Sequence, residues 1–274
     1  MSSALDRAEK LTELTSIQEL AISREDALAR ITELLDAGED TEVRQTAVRA
    51  LMSYPEHHDL WARVLELARG EDAGPLRETC LEALGRLVRE GDLAGAELEP
   101  YAPELELGEP PRELYDQVKA VLLQRLAEPG SDAERQSTLL SLSYLPHEPA
   151  VADAIDALFT GGAAARALAL RCVARACDLR WAGPVSDALA EGGEHVLAAI
   201  RAAGAIELIE SAPLLGRIAR SGRQPELERL AAVAALVRLG GKTAAPALLE
   251  LSEADEEGPV RDAAREALNG LGGH

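Results

Sequence analysis

Few residues in this 274-residue chain combine a reactive type with a spacing that would let it work. The tract Glu56-His57-His58-Asp59 sets two imidazoles between two carboxylates, which is ligand chemistry for a divalent transition metal. No second cluster of matching spacing completes such a site. The tract also precedes a helix, where Asp59 is a natural N-cap. His147-Glu148 is a single pair, and His195 and His274 stand apart from it. Gly241-Lys242-Thr243 has the ending of a phosphate-binding loop. That loop needs glycine at position 236, which is Leu here, and it follows a strand rather than a helix. The segment reads as a turn between helices. Cys80 and Cys172 fall at small-residue positions of a helical pattern and read as core thiols, while Cys177 fits no ligand motif. No catalytic constellation emerges, so the chain is expected to be non-enzymatic, with no cofactor and no metal.

Composition narrows the partners. The chain holds 48 acidic and 28 basic residues, a net charge of −20, which argues against phosphate-backbone binding. Only 7 residues are aromatic (Phe 1, Trp 2, Tyr 4), too few for base-stacking platforms. Three cysteines make no disulfide framework. Met1-Ser2-Ser3-Ala4-Leu5-Asp6-Arg7 lacks a basic and apolar leader pattern, and no uncharged apolar run reaches membrane-spanning length. A cytoplasmic location, with no membrane and no nucleic acid, is the expectation.

The elements that position these residues come from a repeat. The pattern apolar-Arg-x-x-small-x-x-small-apolar occurs at Val43-Arg44…Ala47…Ala50-Leu51 and again at Leu76-Arg77…Cys80…Ala83-Leu84. It returns as Glu134-Arg135…Thr138…Ser141-Leu142, Ala165-Arg166…Ala169…Cys172-Val173 and His195-Val196…Ala199…Ala202-Ala203. Glu228-Arg229…Ala232…Ala235-Leu236 and Val260-Arg261…Ala264…Ala267-Leu268 complete the series. The slot intervals are 33, 58, 31, 30, 33 and 32 residues. Small residues three apart with an apolar neighbour at the fourth place lie on one helix face and let a second helix approach closely. A second apolar run separates the copies, as in Leu60–Leu67, Val151–Leu158, Leu214–Ile218 and Ala244–Leu251, set off by turn signals such as Tyr54-Pro55 and Gly240-Gly241. Each unit therefore reads as a hairpin of an A helix, a turn and a B helix.

This pattern resembles HEAT repeats, most closely the bacterial PBS-lyase-type HEAT-like repeats, over roughly residues 24–271. The resemblance implies an all-α, right-handed α-solenoid of about seven or eight hairpins in one domain over residues 1–274, with A helices on the convex side and B helices on the concave side. It also implies that Arg44, Arg77, Arg135, Arg166, Arg229 and Arg261 join a polar ladder between neighbouring repeats. Di-iron hydroxylases share this repeat fold but need several His-Glu pairs, and the DNA glycosylases among these proteins are basic; this chain is unlike both. Bilin lyases remain as the alternative function: an enzyme or enzyme-maturation factor of that kind.

The interval of 58 residues marks a break. Residues 90–110 read as an acidic insertion loop with seven acids, no base, and Pro100, Pro103 and Pro110. A helix resumes near Pro111. Residues 1–23 carry an amphipathic N-terminal cap element, and residues 258–274 a C-terminal cap helix. Charge is lopsided: residues 1–137 hold 30 acids and 15 bases, residues 138–274 only 18 and 13. The expected function is a scaffold or adaptor, monomeric by itself, that binds a basic protein or peptide. The expected contacts are Trp61, Glu97, Glu99, Tyr101, Glu104 and Glu106. For Trp61 and Trp181, core or hairpin packing is the competing role.

Overall fold

The computed structural model describes residues 7–8, 10–14, 17, 23–35, 39–70, 74–95, 110–253 and 258–271. Among them the regular structure is helical and no strand occurs. The helices are α1 (Arg24–Leu34), α2 (Thr41–Leu51), α3 (His58–Arg69), α4 (Pro75–Gly95), α5 (Arg112–Ala127), α6 (Asp132–Leu142) and α7 (Pro149–Phe159). They continue as α8 (Ala163–Ala176), α9 (Ala182–Glu191), α10 (Val196–Ala205), α11 (Ala212–Arg220), α12 (Glu226–Arg238), α13 (Gly241–Ser252) and α14 (Pro259–Leu271). The seven copies of the sequence pattern fall in the even-numbered helices, except that His195 of the fifth lies in the 3-10 turn just before α10, and the intervening apolar runs form the odd-numbered ones. Residues 7, 8, 10–14 and 17 are helical, with Leu14 and Ile17 fully buried.

Local chemistry starts and stops these helices. The Ser23, Asp40 and Ser131 side chains accept the backbone N–H of Asp26, Glu42 and Glu134 and so begin α1, α2 and α6. Pro149 opens α7. Asp59, expected as an N-cap, lies instead inside the first turn of α3, which starts one residue earlier behind His57.

The contacts gather into two compact units, residues 1–145 and 146–274. In the first, α2 packs on α4 and α4 on α6, while α3 and α5 pack on α4, on each other, and α5 on α6. In the second, α8, α10, α12 and α14 pack in succession, with α7, α9, α11 and α13 each against an even-numbered neighbour. The small slots make the even-numbered contacts possible. Ala47, Cys80, Thr138, Ala169, Ala199, Ala232 and Ala264 are all fully buried. At Gly85 the approach is so close that a Cβ would stand 2.9 Å from the Ser141 Cα. The Ser141 hydroxyl fills the joint by donating to the Leu81 carbonyl at 2.8 Å.

Helix α4 runs through Gly95, so the first six residues of the expected insertion loop are helical. The reason is packing. Leu87 and Val88 are buried, Glu90 is buried and paired with Arg86 at 2.7 Å, and Gly91 abuts the Tyr115 ring of α5. The prolines that stop a helix begin only at Pro100. Among the described residues no helix is long and apolar enough to cross a membrane.

Candidate functional site

The repeated arginine has a structural job at the junction between neighbouring hairpins. Arg44 Nε donates to the Leu35 carbonyl at 3.3 Å, Arg77 to Gly70 at 3.2 Å and Arg229 to Ala219 at 3.0 Å. In each case an even-numbered helix reaches back to the carboxyl end of the preceding odd-numbered helix. Four carbonyls there lack helical partners and carry the negative end of the helix dipole, so a guanidinium is a fitting cap. In the last copy Arg265 does this to Ser252 at 3.1 Å. Arg166 instead pairs with Glu191 at 2.6 Å. The pair Arg77–Glu134 also joins two even-numbered helices, α4 and α6.

Around that pair lies a buried polar cluster. Glu134 sits in the apolar slot of its repeat, and Arg125 approaches its other oxygen at 3.7 Å while donating to the Arg69 carbonyl at 3.0 Å. At Gly130 a Cβ would stand 2.6 Å from the Arg77 guanidinium and 2.7 Å from the Glu134 carboxylate, so a side chain there would push the charged ends of the pair aside. Sequence reasoning missed Arg125. An acid stands in that slot at Glu228 as well as at Glu134, so the slot alone did not mark the cluster or its second arginine.

The histidine tract lines a groove of about 580 Å³ between α1 and α3, with Leu28, Ala29 and Thr32 opposite Glu56, His57 and His58. Glu56 is held by Arg24 and lies 3.2 Å from His57 Nε2. Loss of water, then the charges of Arg24 and His58, hold His57 below the usual imidazole value. The carboxylate beside the imidazole is thus already occupied by a cation. Among the described residues no group of three or more His, Cys, Asp or Glu is gathered as a metal requires. His147 stands 3.8 Å from Glu148. Gly241-Lys242-Thr243 opens α13, separated from the end of α12 by Leu239 and Gly240 alone, a helix-to-helix turn in which Gly240 adopts φ 89°. Cys80 and Cys172 are buried, and burial pushes both thiols up to about 12. Cys177 is exposed.

The expected contact residues divide. Trp61 is fully buried in α3, with its indole N–H donating to the Tyr54 carbonyl at 3.2 Å. It anchors the hairpin and is not offered to a partner. Trp181 is likewise buried, its N–H donating to Asp156 at 2.7 Å. Glu97, Glu99, Tyr101, Glu104 and Glu106 lie outside the described residues. Residues 138–145 carry no charge, so the first compact unit holds the 30 acids and 15 bases counted above. No family model matches the chain, and no curated protein matches it.

Proposed function

We propose that this chain is a non-catalytic scaffold: a right-handed α-solenoid of HEAT-like hairpins that holds a basic protein or peptide. One observation carries the reading. The same hairpin joint, with small slots and an arginine on the preceding helix end, recurs in both units, while the charge is loaded on the first. A repeated joint is an architectural device that builds surface rather than one reaction centre. An excess of 15 negative charges on the first unit favours cationic partners, raising association rate and selectivity more than affinity. The acidic stretch around Glu97, Glu99, Glu104 and Glu106, with Tyr101 among them, is the proposed contact. A cytoplasmic, monomeric protein is the setting proposed for it.

The test is capture from the native host by the intact chain and by the variant Glu97→Lys, Glu99→Lys, Glu104→Lys and Glu106→Lys, each at two salt concentrations. The variant is expected to melt as the parent does and to lose the captured partner. The parent's capture weakens as salt rises, over the Debye length of about 10 Å at 0.1 M. Equal capture by both proteins removes the acidic stretch from the reading.

A further inference from the structure

The second unit, though net negative, holds a groove lined by two arginines and no acid. Residues 161–240 hold ten arginines against eight acidic residues, in a chain of net charge −20. Several of those arginines are committed: Arg166 to Glu191, Arg180 to Asp178, Arg220 to Glu250 and Arg229 to a helix end. Arg201 of α10 and Arg238 of α12 are exposed and line a common groove of about 490 Å³ shared by α8, α10 and α12. Small residues Ala174, Gly204, Ala231 and Ala234 line it together with the apolar Leu227 and Leu230. Leu227 is 57% exposed, a large apolar side chain left in water. Along it α10 and α12 pack closely, since a Cβ at Gly204 would come within 3.0 Å of the Ala235 Cα. The same point lies 3.7 Å from the Arg238 Cδ, so the arginine stem lies along the seam and its charge caps one end. Leu227 to Arg238 spans about 16 Å at 1.5 Å rise per residue, or about three helical turns. One end of that span is apolar and the other cationic.

We infer that this groove docks a short amphipathic helix bearing acidic side chains, presented by another protein. The alanine and glycine lining lets a helix backbone come close, and Leu227 and Leu230 interleave with its leucines. Arg201 and Arg238 take its carboxylates. Charge selects this occupant. The rest of the chain repels an anion, so an acidic helix is directed here, whereas a basic helix is drawn to the first unit. The inference is independent of the scaffold reading above, since it concerns the other unit and a partner of the other sign.

The probe is a fluorescein-labelled peptide of about 15 residues, with leucines at positions i, i+3, i+4 and i+7 and glutamates flanking them. Binding to the full chain is read by anisotropy at low salt, beside a scrambled peptide of identical composition. The amphipathic peptide is expected to bind at least about tenfold tighter than the scramble. The double variant Arg201→Glu/Arg238→Glu is expected to lose at least about tenfold while keeping the parental melt. If that variant unfolds, Arg201→Gln/Arg238→Gln takes its place, with both positions exposed on helix surfaces. Equal binding of the two peptides, no binding up to about 1 mM, or undiminished binding to the folded variant overturns the inference. None of these outcomes touches the lysine variant of the acidic stretch, so the two readings fail separately.

Discussion

Arg77 Nη2 lies 2.5 Å from Glu134 Oε2, joining residues 57 positions apart, and the two side chains are only 4% and 2% exposed. Arg77 also caps the end of α3 at Gly70, and Arg125 reaches the same helix end and the same carboxylate. One acid thus neutralises two arginines whose positions are set by α4 and α5. Removing it leaves two guanidinium groups crowded and partly dehydrated.

Glu134→Gln keeps the shape and deletes the charge. It is expected to destabilise the chain by about 3–5 kcal/mol, since a buried pair broken on one side leaves an uncompensated ion. Arg77→Met with Glu134→Leu is expected to cost less than Glu134→Gln alone. Urea unfolding of the three proteins gives the comparison, and a negligible loss in Glu134→Gln would show that the cluster is not holding α3, α4 and α6 together.

Gly130→Ala inserts a methyl between the partners, 2.6 Å from the guanidinium and 2.7 Å from the carboxylate. A cost of about 1–3 kcal/mol is expected from the crowding. In the Arg77→Met/Glu134→Leu background that cost should shrink, because neighbouring substitutions are not additive. A thermodynamic cycle of denaturation measurements reads the coupling directly. Strict additivity would place the strain of Gly130→Ala elsewhere.

Ala169 is fully buried in the slot through which α8 meets its even-numbered neighbour. Ala169→Phe is expected to cost about 1–3 kcal/mol or more, by overpacking a joint built for a methyl group. An unchanged melting temperature would contradict the register of the repeat.

Native chain treated with iodoacetamide near pH 8 is expected to be modified at Cys177 alone, with Cys80 and Cys172 reacting only after denaturation. Mass spectrometry of the peptides decides it. The same burial has a stability consequence. Both thiols keep their protons to about 12 when folded, against 9.0 ordinarily. The unfolded chain therefore loses these protons first, the native state binds more of them, and stability falls as pH rises through that window. Cys80→Ala and Cys172→Ala should flatten the fall.

Helix positions were legible because they are local. The three-residue spacing of Ala47 and Ala50, or of Ala199 and Ala202, specifies one face of a helix whatever the rest of the chain does. The buried state of Cys80 and Cys172 followed from the same spacing. The end of α4 was misjudged because its last turns are held by contacts remote in sequence, above all Gly91 against Tyr115. Trp61 was readable either as anchor or as core, and only its hydrogen bond to Tyr54 in a sealed hairpin separates the two.

By itself the sequence determined the succession of helices, their small-residue faces and the imbalance of charge between the first and second halves, since each depends on residue type and short spacing alone. Tertiary structure decided what the polar residues do. Whether an arginine caps a helix end, as Arg229 does, or shares a buried acid, as Arg77 and Arg125 do, depends on which carbonyl or carboxylate packing brings within about 3 Å. Hydrogen bonds and ion pairs act over that short range, and no pattern along the chain encodes distances across it.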